Sequence, residues 1–466
     1  MPTPRHCAAL AAAGFSAAAD AQQGPEPDWV SQFGTVEMDW ATSVVPGDAG
    51  GLFCAGFTRG ILGGPSTGDS AAFLFHAGAR PWITQFGTVW GERAYALALD
   101  GAGGVFIGGY TRGDLAAPRI GGQDAFLARY DRDGTRLWIT QFGTEDYEEV
   151  RALLPDGAGG VFAAGKTAGS LAGPGAGLDD AWLARYDASG ARLWVAQFGS
   201  SGDDGISSLA PDGSGGFFAS GSTDGALAGA TAGGQDAFVT RYDGSGQRLW
   251  LKQFGTAEYE TGVGLASDGA GGVFMTGRTS GSLGGPHAGR SDGYAMRLGP
   301  IGEVRWIIQF GGPETDYSYG AAPDGAGGVY LSGISVEEPG GPWVGWLARH
   351  SADGARIWRS RVGPPGVATP GALALDHAGG VLVSGVAYGD FGGRWAGDYD
   401  CFIARFGPDA RCAADCDRSG ALDLFDFLCF QSLFAAGDPG ADCDESGALD
   451  VFDFLCFQDA FAACCP

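Results

Sequence analysis

The chain has 466 residues, 86 of them glycine, with 12 % aromatic side chains and a formal charge of −26 from 54 acidic and 28 basic residues. Basic residues this sparse and scattered argue against a nucleic-acid partner, which needs Lys and Arg clustered against phosphate. Glycine without a three-residue period, beside this aromatic content, indicates many tight turns between short strands rather than collagen or disorder.

In chain order, residues 1–21 carry Arg5 and His6, an apolar Ala-rich run from Cys7 to Ala19 and the small residues Ala19-Asp20-Ala21. This pattern predicts a secretory signal peptide, removed to leave an exported, soluble chain that is extracellular or associated with the cell surface. No later apolar stretch is long enough for a helical membrane span, so no transmembrane segment is expected.

From Trp29 onward the sequence repeats. Trp29, Trp82, Trp138, Trp194, Trp250, Trp306 and Trp358 recur at spacings of 53, 56, 56, 56, 56 and 52 residues, and the first six open Trp-x-x-Gln-Phe-Gly. Each copy reads as four short strands, in one case Asp124 to Tyr130, Leu137 to Phe142, Val150 to Leu154 and Gly160 to Ala164, with apolar residues on both faces. Asp-x-x-Gly and Asp-Gly-x-Gly-Gly supply the turns, using residues that tolerate positive φ. The expected fold is therefore all-β, a seven-bladed β-propeller of four-stranded blades over residues 22–407. The array opens at Trp29 without its Asp-Ala-Phe strand and ends at Asp400–Phe406 without a following Trp strand. These two strands are predicted to pair and close the ring by joining the termini.

Asp-Ala-Phe-x-x-Arg-Tyr-Asp, Leu-Trp-x-x-Gln-Phe-Gly and Asp-Gly-x-Gly-Gly-Val-Phe-x-x-Gly-x-Thr resemble the SBBP-type β-propeller repeat of exported bacterial proteins. The resemblance implies the fold and leaves activity open, because propellers host many functions.

Strand direction places the tight turns on one face and the longer links on the other, where binding loops more often lie. Five residues after each Gln-Phe-Gly glycine stand Asp39, Glu92, Glu148, Asp204, Glu260 and Asp316, with Ala368 in the seventh copy and Trp40, Tyr147, Tyr259 and Tyr317 alongside. Two readings follow. Each carboxylate could accept N–H bonds from its own loop, or the six could form an acidic, aromatic-studded rim for a cation, a cationic peptide or a glycan. On the opposite face, Arg129, Arg185, Arg241, Arg297, Arg349 and Arg405, with His76 in the remaining copy, are expected to pair with the Asp of the Asp-Gly-x-Gly-Gly turns. Cys54 and Cys401 occupy repeat positions filled elsewhere by Ile107 and Ala125, which predicts buried, apolar roles.

After a linker over residues 408–411, the segment 412–466 carries a second duplication. Asp415, Asp417, Ser419, Ala421, Asp423 and Asp426 recur 27 residues later as Asp442, Asp444, Ser446, Ala448, Asp450 and Asp453, with Gly420 and Gly447 at position six. This is the spacing of a calcium loop, with side-chain oxygens at one, three, five, nine and twelve and a backbone carbonyl at seven. Two calcium ions are therefore expected. Each loop enters an apolar helical segment, Phe-Asp-Phe-Leu-Cys-Phe-Gln. The pair resembles a dockerin domain, and its Cys-bearing form is similar to the GC-type dockerin-like anchors of planctomycete proteins. The resemblance implies a small α-helical domain docking to a cohesin-like or other envelope receptor. It also points to Leu424, Phe425, Val451 and Phe452, at loop positions ten and eleven, as partner-contacting residues more apolar than in cellulosomal dockerins. Cys416 with Cys443 and Cys429 with Cys456 are equivalent pairs suited to bridging this small module, though sequence alone leaves connectivity open.

His76, His287, His350 and His377 fall in different copies with no triad signature. The function expected from sequence is a secreted, non-catalytic binding or scaffold propeller anchored by its tail. The alternative is a carbohydrate-active or sugar-binding propeller.

Overall fold

A computed structural model describes residues 22–65, 68–229, 231–407, 424–437, 441 and 449–463. A representative blade runs antiparallel from the ring's inside outward through Glu148–Pro155, Val161–Thr167, Asp180–Tyr186 and Arg192–Phe198. Its first turn forms because Asp156 Oδ1 accepts the N–H groups of Ala158 at 2.8 Å and Gly160 at 2.7 Å, while Gly157 and Gly159 take φ of 72° and 84°. The inner strand bulges between Val150 and Ala152, bringing the Glu149 carbonyl within 1.9 Å of where a Cβ on Gly165 would lie. That close approach explains the glycine in each Gly-x-Thr of the repeat.

Seven such sheets form the ring, with the strands beginning at Asp39, Glu92, Glu148, Asp204, Glu260, Asp316 and Ala368 innermost and adjacent to one another. The sequence copy is out of phase with the blade by two strands. Asp124–Tyr130 and Arg136–Phe142 are the outer half of one blade, and the following Glu148–Pro155 and Val161–Thr167 are the inner half of the next. The expected closure is present. Trp29–Phe33 pairs antiparallel with Asp400–Phe406, Trp29 opposite Arg405 and Phe33 opposite Cys401, completing the last blade from the chain's beginning. A feature the repeat did not announce is Gln22–Gln23, which adds a parallel fifth strand to the sixth blade beside Arg356–Arg361.

The motif Asp-x-x-Gly-x-x-Leu-Trp holds blade to blade. Trp138 Nε1 donates to the Ala188 carbonyl of the next blade at 3.0 Å, and its ring lies against Gly190, where a Cβ would come within 2.9 Å of the indole. Gly190 also has φ of 85°, so the glycine shapes its own turn and seats the neighbour's tryptophan. Arg129 completes the joint by bonding Asp100 of its own blade at 2.9 Å and the Ala188 carbonyl at 2.9 Å. The equivalent Arg–Asp pairs recur at Arg185–Asp156, Arg241–Asp212, Arg297–Asp268, Arg349–Asp324 and Arg405–Asp376. The arginine ring is thus engaged in its own turns, as expected. Aromatic packing fills the gaps between blades, as where Phe142 meets Trp182 edge-on at 5.6 Å.

Cys54 and Cys401 are free, fully buried thiols in the cluster joining the first blade to the last. Beyond the ring, two helices, Leu424–Ala436 and Val451–Ala463, pack through Phe430 and Phe457, whose rings stack at 4.2 Å. Among the described residues, no helix is long and apolar enough to cross a membrane.

Candidate functional site: the axial cavity

The six acidic residues do not stand on an open rim. All are between 0 and 3 % exposed, and each ties down the link that precedes it. Glu148 accepts the Thr144 N–H at 2.7 Å, the Thr144 hydroxyl at 2.6 Å and the Thr167 hydroxyl at 2.7 Å. Glu92 and Glu260 repeat this set with Thr88 and Thr111, and with Thr256 and Thr279. Asp39, Asp204 and Asp316, one carbon shorter, reach Thr35, Ser200 and Gly312. Burial raises the pKa of these three aspartates even though hydrogen bonds oppose the shift. The geometry is that of the loop-fixing reading. Of the aromatics beside them, Tyr147 and Tyr259 are exposed, while Trp40 and Tyr317 turn toward the ring's axis.

The axis holds a cavity of about 1120 Å³. Its wall is built largely from the positions one and three past each buried carboxylate, where the pleat of the inner strand points side chains away from the blade core. Those that line it are Trp40 and Thr42, Tyr95, Arg151, Ser207, Thr261 and Val263, Tyr317 and Tyr319, and Thr369 and Gly371, while Arg93, Glu149 and Gly205 hold the remaining positions without lining it. The repeat is broken here: no residue type recurs in all seven copies, and the contacts to a neighbouring blade differ, as where Thr42 donates to the Ala94 carbonyl and Arg93 lies over Phe57.

Two clusters dominate the wall. In one, the Arg151 guanidinium lies 4.9 Å from the centre of the Tyr95 ring and is held by Glu149 Oε1 at 2.7 Å. Burial, with the nearby Glu149 charge, pushes the Tyr95 phenol up to about 12, so it stays a neutral hydrogen-bonding group at neutral pH. In the other, Tyr317 lies 5.1 Å from the Arg278 guanidinium and stacks on Trp343 at 6.0 Å with an interplanar angle of 16°. Trp40 stacks on Phe57 between them. Across the fourth blade the wall thins to Ser207, beside a smaller recess of about 270 Å³ where Lys166 meets Asp179 at 2.5 Å.

Among the described residues, Arg151 and Arg278 are the ionised side chains lining the large cavity, and no Asp, Glu, His or Cys joins them. The wall offers stacking faces, hydroxyls and two cations. Of the histidines, His350 is buried and bonded to the Gly354 carbonyl, and burial lowers its pKa. Of this wall, Trp40 and Tyr317 are conspicuous in the sequence as aromatics beside the acidic positions, while the other positions one and three past the carboxylates show no residue common to all copies. The signal lay in the two positions after each carboxylate, where the copies disagree.

In the tail, Asp415, Asp417, Ser419, Ala421, Asp423, Asp442, Asp444, Ser446 and Ala448 lie outside the described residues, and Asp426 falls in the first helix. Asp453 is fully buried and its Oδ2 accepts the Asp450 N–H at 2.8 Å, a bond that also caps the second helix. Leu424 and Phe425 open the first helix, while Val451, with Phe452, opens the second and is 64 % exposed. Leu428 and Leu455, equivalent positions of the two helices, are also exposed.

Residues 249–284 match the SBBP β-propeller repeat. The matched segment runs from the outer strand of the fourth blade through the inner half of the fifth. The regulatory protein FlaEY of Caulobacter vibrioides is 27 % identical over 224 residues, 43 % of this chain, and the match spans only 23 % of FlaEY. Among solved structures, YCF48 bound to a D1 peptide is similar with a TM-score of 0.46 and 11 % identity, covering 83 % of this chain and 97 % of that one. The β-propeller domain of the Trilobed protease from Pyrococcus furiosus is similar with a TM-score of 0.44 and 9 % identity, covering 83 % and 96 %.

Proposed function

We propose that this chain is an exported binding module whose ligand enters the axial cavity and whose tail tethers it to a protein receptor. The propeller fold itself supports a non-catalytic binding or scaffold role. The observation that carries the ligand site is the contrast between joints that recur in most blades and an axial wall that differs blade by blade. Packing does not require such asymmetry, whereas recognition of one asymmetric ligand does. A glycan and peptide array probed with the full chain, with product release monitored, tests this reading. Specific binding abolished by substitutions in the wall supports it, and turnover of a bound glycan would replace it with an enzymatic one.

A sugar-binding propeller is the second reading, favoured by the Tyr317–Trp343 stack beside hydroxyls in one cavity.

For the tail, the duplicated loops supply an oxygen set that fits calcium, and the buried Asp453 carboxylate lies where a loop's twelfth position meets its helix. Asp415, Asp417, Ser419, Ala421, Asp423 and Asp426, and their six counterparts, would hold two calcium ions that cross-link each loop to its helix. Disulfides among the tail's cysteines would add to a small core. The exposed Leu428, Val451 and Leu455 give a receptor an apolar face. Isothermal titration of the full chain is expected to show calcium uptake that Asp415→Ala/Asp442→Ala removes, and unchanged uptake would refute the assignment.

A further inference from the structure

We propose that the axial cavity selects an anionic sugar, with a uronate carboxylate received by Arg278 and the pyranose ring lying on the Trp343–Tyr317 stack. The inference rests on the cavity being the ligand site and names the class of ligand it takes.

The first support is charge. The chain carries 54 acidic and 28 basic residues, so its overall field repels anions. Yet the large cavity is lined by two arginines and by no carboxylate among the described residues. Arg151 is already held by Glu149. Arg278 is exposed, rests against the Tyr317 ring and has no ion pair among the described residues. It therefore keeps its planar donor fork for an incoming carboxylate.

The second support is a neighbouring donor without a partner. Thr261 faces Arg278 across the two inner strands of the fifth blade, and its hydroxyl is buried with no hydrogen-bond partner among the described residues. Both residues line the same cavity. A buried hydroxyl left unsatisfied costs stability, and turning it toward the cavity to meet an acceptor beside Arg278 would relieve that cost.

The third support is shape. Trp343 is 40 % exposed and stacks on Tyr317, whose ring also meets the Arg278 guanidinium, so one aromatic platform carries an apolar face and a cation. Ser207 and Ser222 add hydroxyls to the remaining wall. Apolar faces alternating with hydroxyls match a pyranose, whose flat C–H face and polar rim lie at right angles.

The test uses the full chain, with tri-galacturonic acid, its methyl ester and neutral galactotriose as probes in isothermal titration. The acid is expected to bind at least about tenfold more tightly than the ester, the ratio that one charge-assisted hydrogen-bonded contact supplies. Arg278→Gln should weaken the acid far more than the ester and so remove that preference, while Trp343→Ala should weaken both to a similar degree. Unchanged circular dichroism and thermal unfolding will confirm that the variants remain folded. Equal binding of acid and ester, both lost in Trp343→Ala, overturns the anionic assignment and leaves the cavity as the ligand site. Binding of the acid that neither substitution alters overturns the cavity reading as well. Absence of binding by all three probes, or tighter binding of a free-carboxylate tripeptide than of the acid, overturns the sugar assignment.

Discussion

Replacing Glu148 with Ala separates the two roles that an acidic residue could have at the head of each blade. The carboxylate is fully buried and accepts three hydrogen bonds, from the Thr144 N–H, the Thr144 hydroxyl and the Thr167 hydroxyl, at 2.6 to 2.7 Å. A hydrogen bond to a charged acceptor contributes about 1.5–3 kcal/mol net. The three share one carboxylate, and water can enter the space that Ala leaves, so their contributions will not simply add. A loss of about 3–5 kcal/mol in unfolding free energy is expected, more than one such bond contributes and less than the sum of three. Glu148→Gln keeps an acceptor and should lose about half of that or less. Denaturant unfolding monitored by tryptophan fluorescence measures both variants, and ligand titration measures whether the cavity survives. A change below about 0.5 kcal/mol in the Ala variant, the size of an ordinary surface substitution, would refute the loop-fixing account. Lost binding at unchanged stability would restore the acidic-rim reading.

Other outcomes follow from the same contacts. His350 is held neutral by burial, its pKa lowered from 6.5, so its contribution is fully present above pH 6.5 and is lost as pH falls through the lower folded value. His350→Tyr, which restores the residue found at Tyr130, Tyr186 and Tyr242, should abolish that part of the acid sensitivity in unfolding curves taken from pH 7 to pH 5. If the variant's pH dependence matches that of the parent chain, the histidine is not responsible. Trp138→Phe removes the Nε1–H bond to the Ala188 carbonyl and should cost about 0.5–1.5 kcal/mol beyond lost packing, read by the same denaturant assay. Cys54 and Cys401, buried where the first and last blades meet, should react with a thiol reagent only at the rate of ring unfolding. Fast native labelling would mean that this junction opens locally. Deleting Asp400–Phe406 leaves the Trp29–Phe33 strand without its partner and should lower the thermal midpoint of the whole ring, whereas an unchanged midpoint would show that closure contributes little.

Much of this molecule can be read from the chain because a repeat reports the same physics several times. Trp, Gly, Arg and Asp recur because the blades share the same seat and turn and six of the seven the same ion pair, and the closing strand was visible from the mismatched ends of the array. The phase of the blade was not visible, since the 56-residue period is the same wherever the unit is cut. Nor was the parallel strand at Gln22–Gln23, which is too short to carry a pattern. The acidic positions were conspicuous because they recur, and recurrence follows from their structural task. Most of the axial wall escaped notice for the opposite reason. Arg151, Thr261 and Arg278 line a void and need not resemble their counterparts in other blades, so they leave no periodic mark, whereas Trp40 and Tyr317 stood out only as aromatics beside acidic positions.

The most direct measurement of the central claim compares the full chain with Arg278→Ala/Trp343→Ala on one glycan array, with folding verified for both. If the axial cavity is the ligand site, every specific signal of the parent chain disappears in the double variant. An unchanged binding profile would place recognition elsewhere on the molecule and contradict the account.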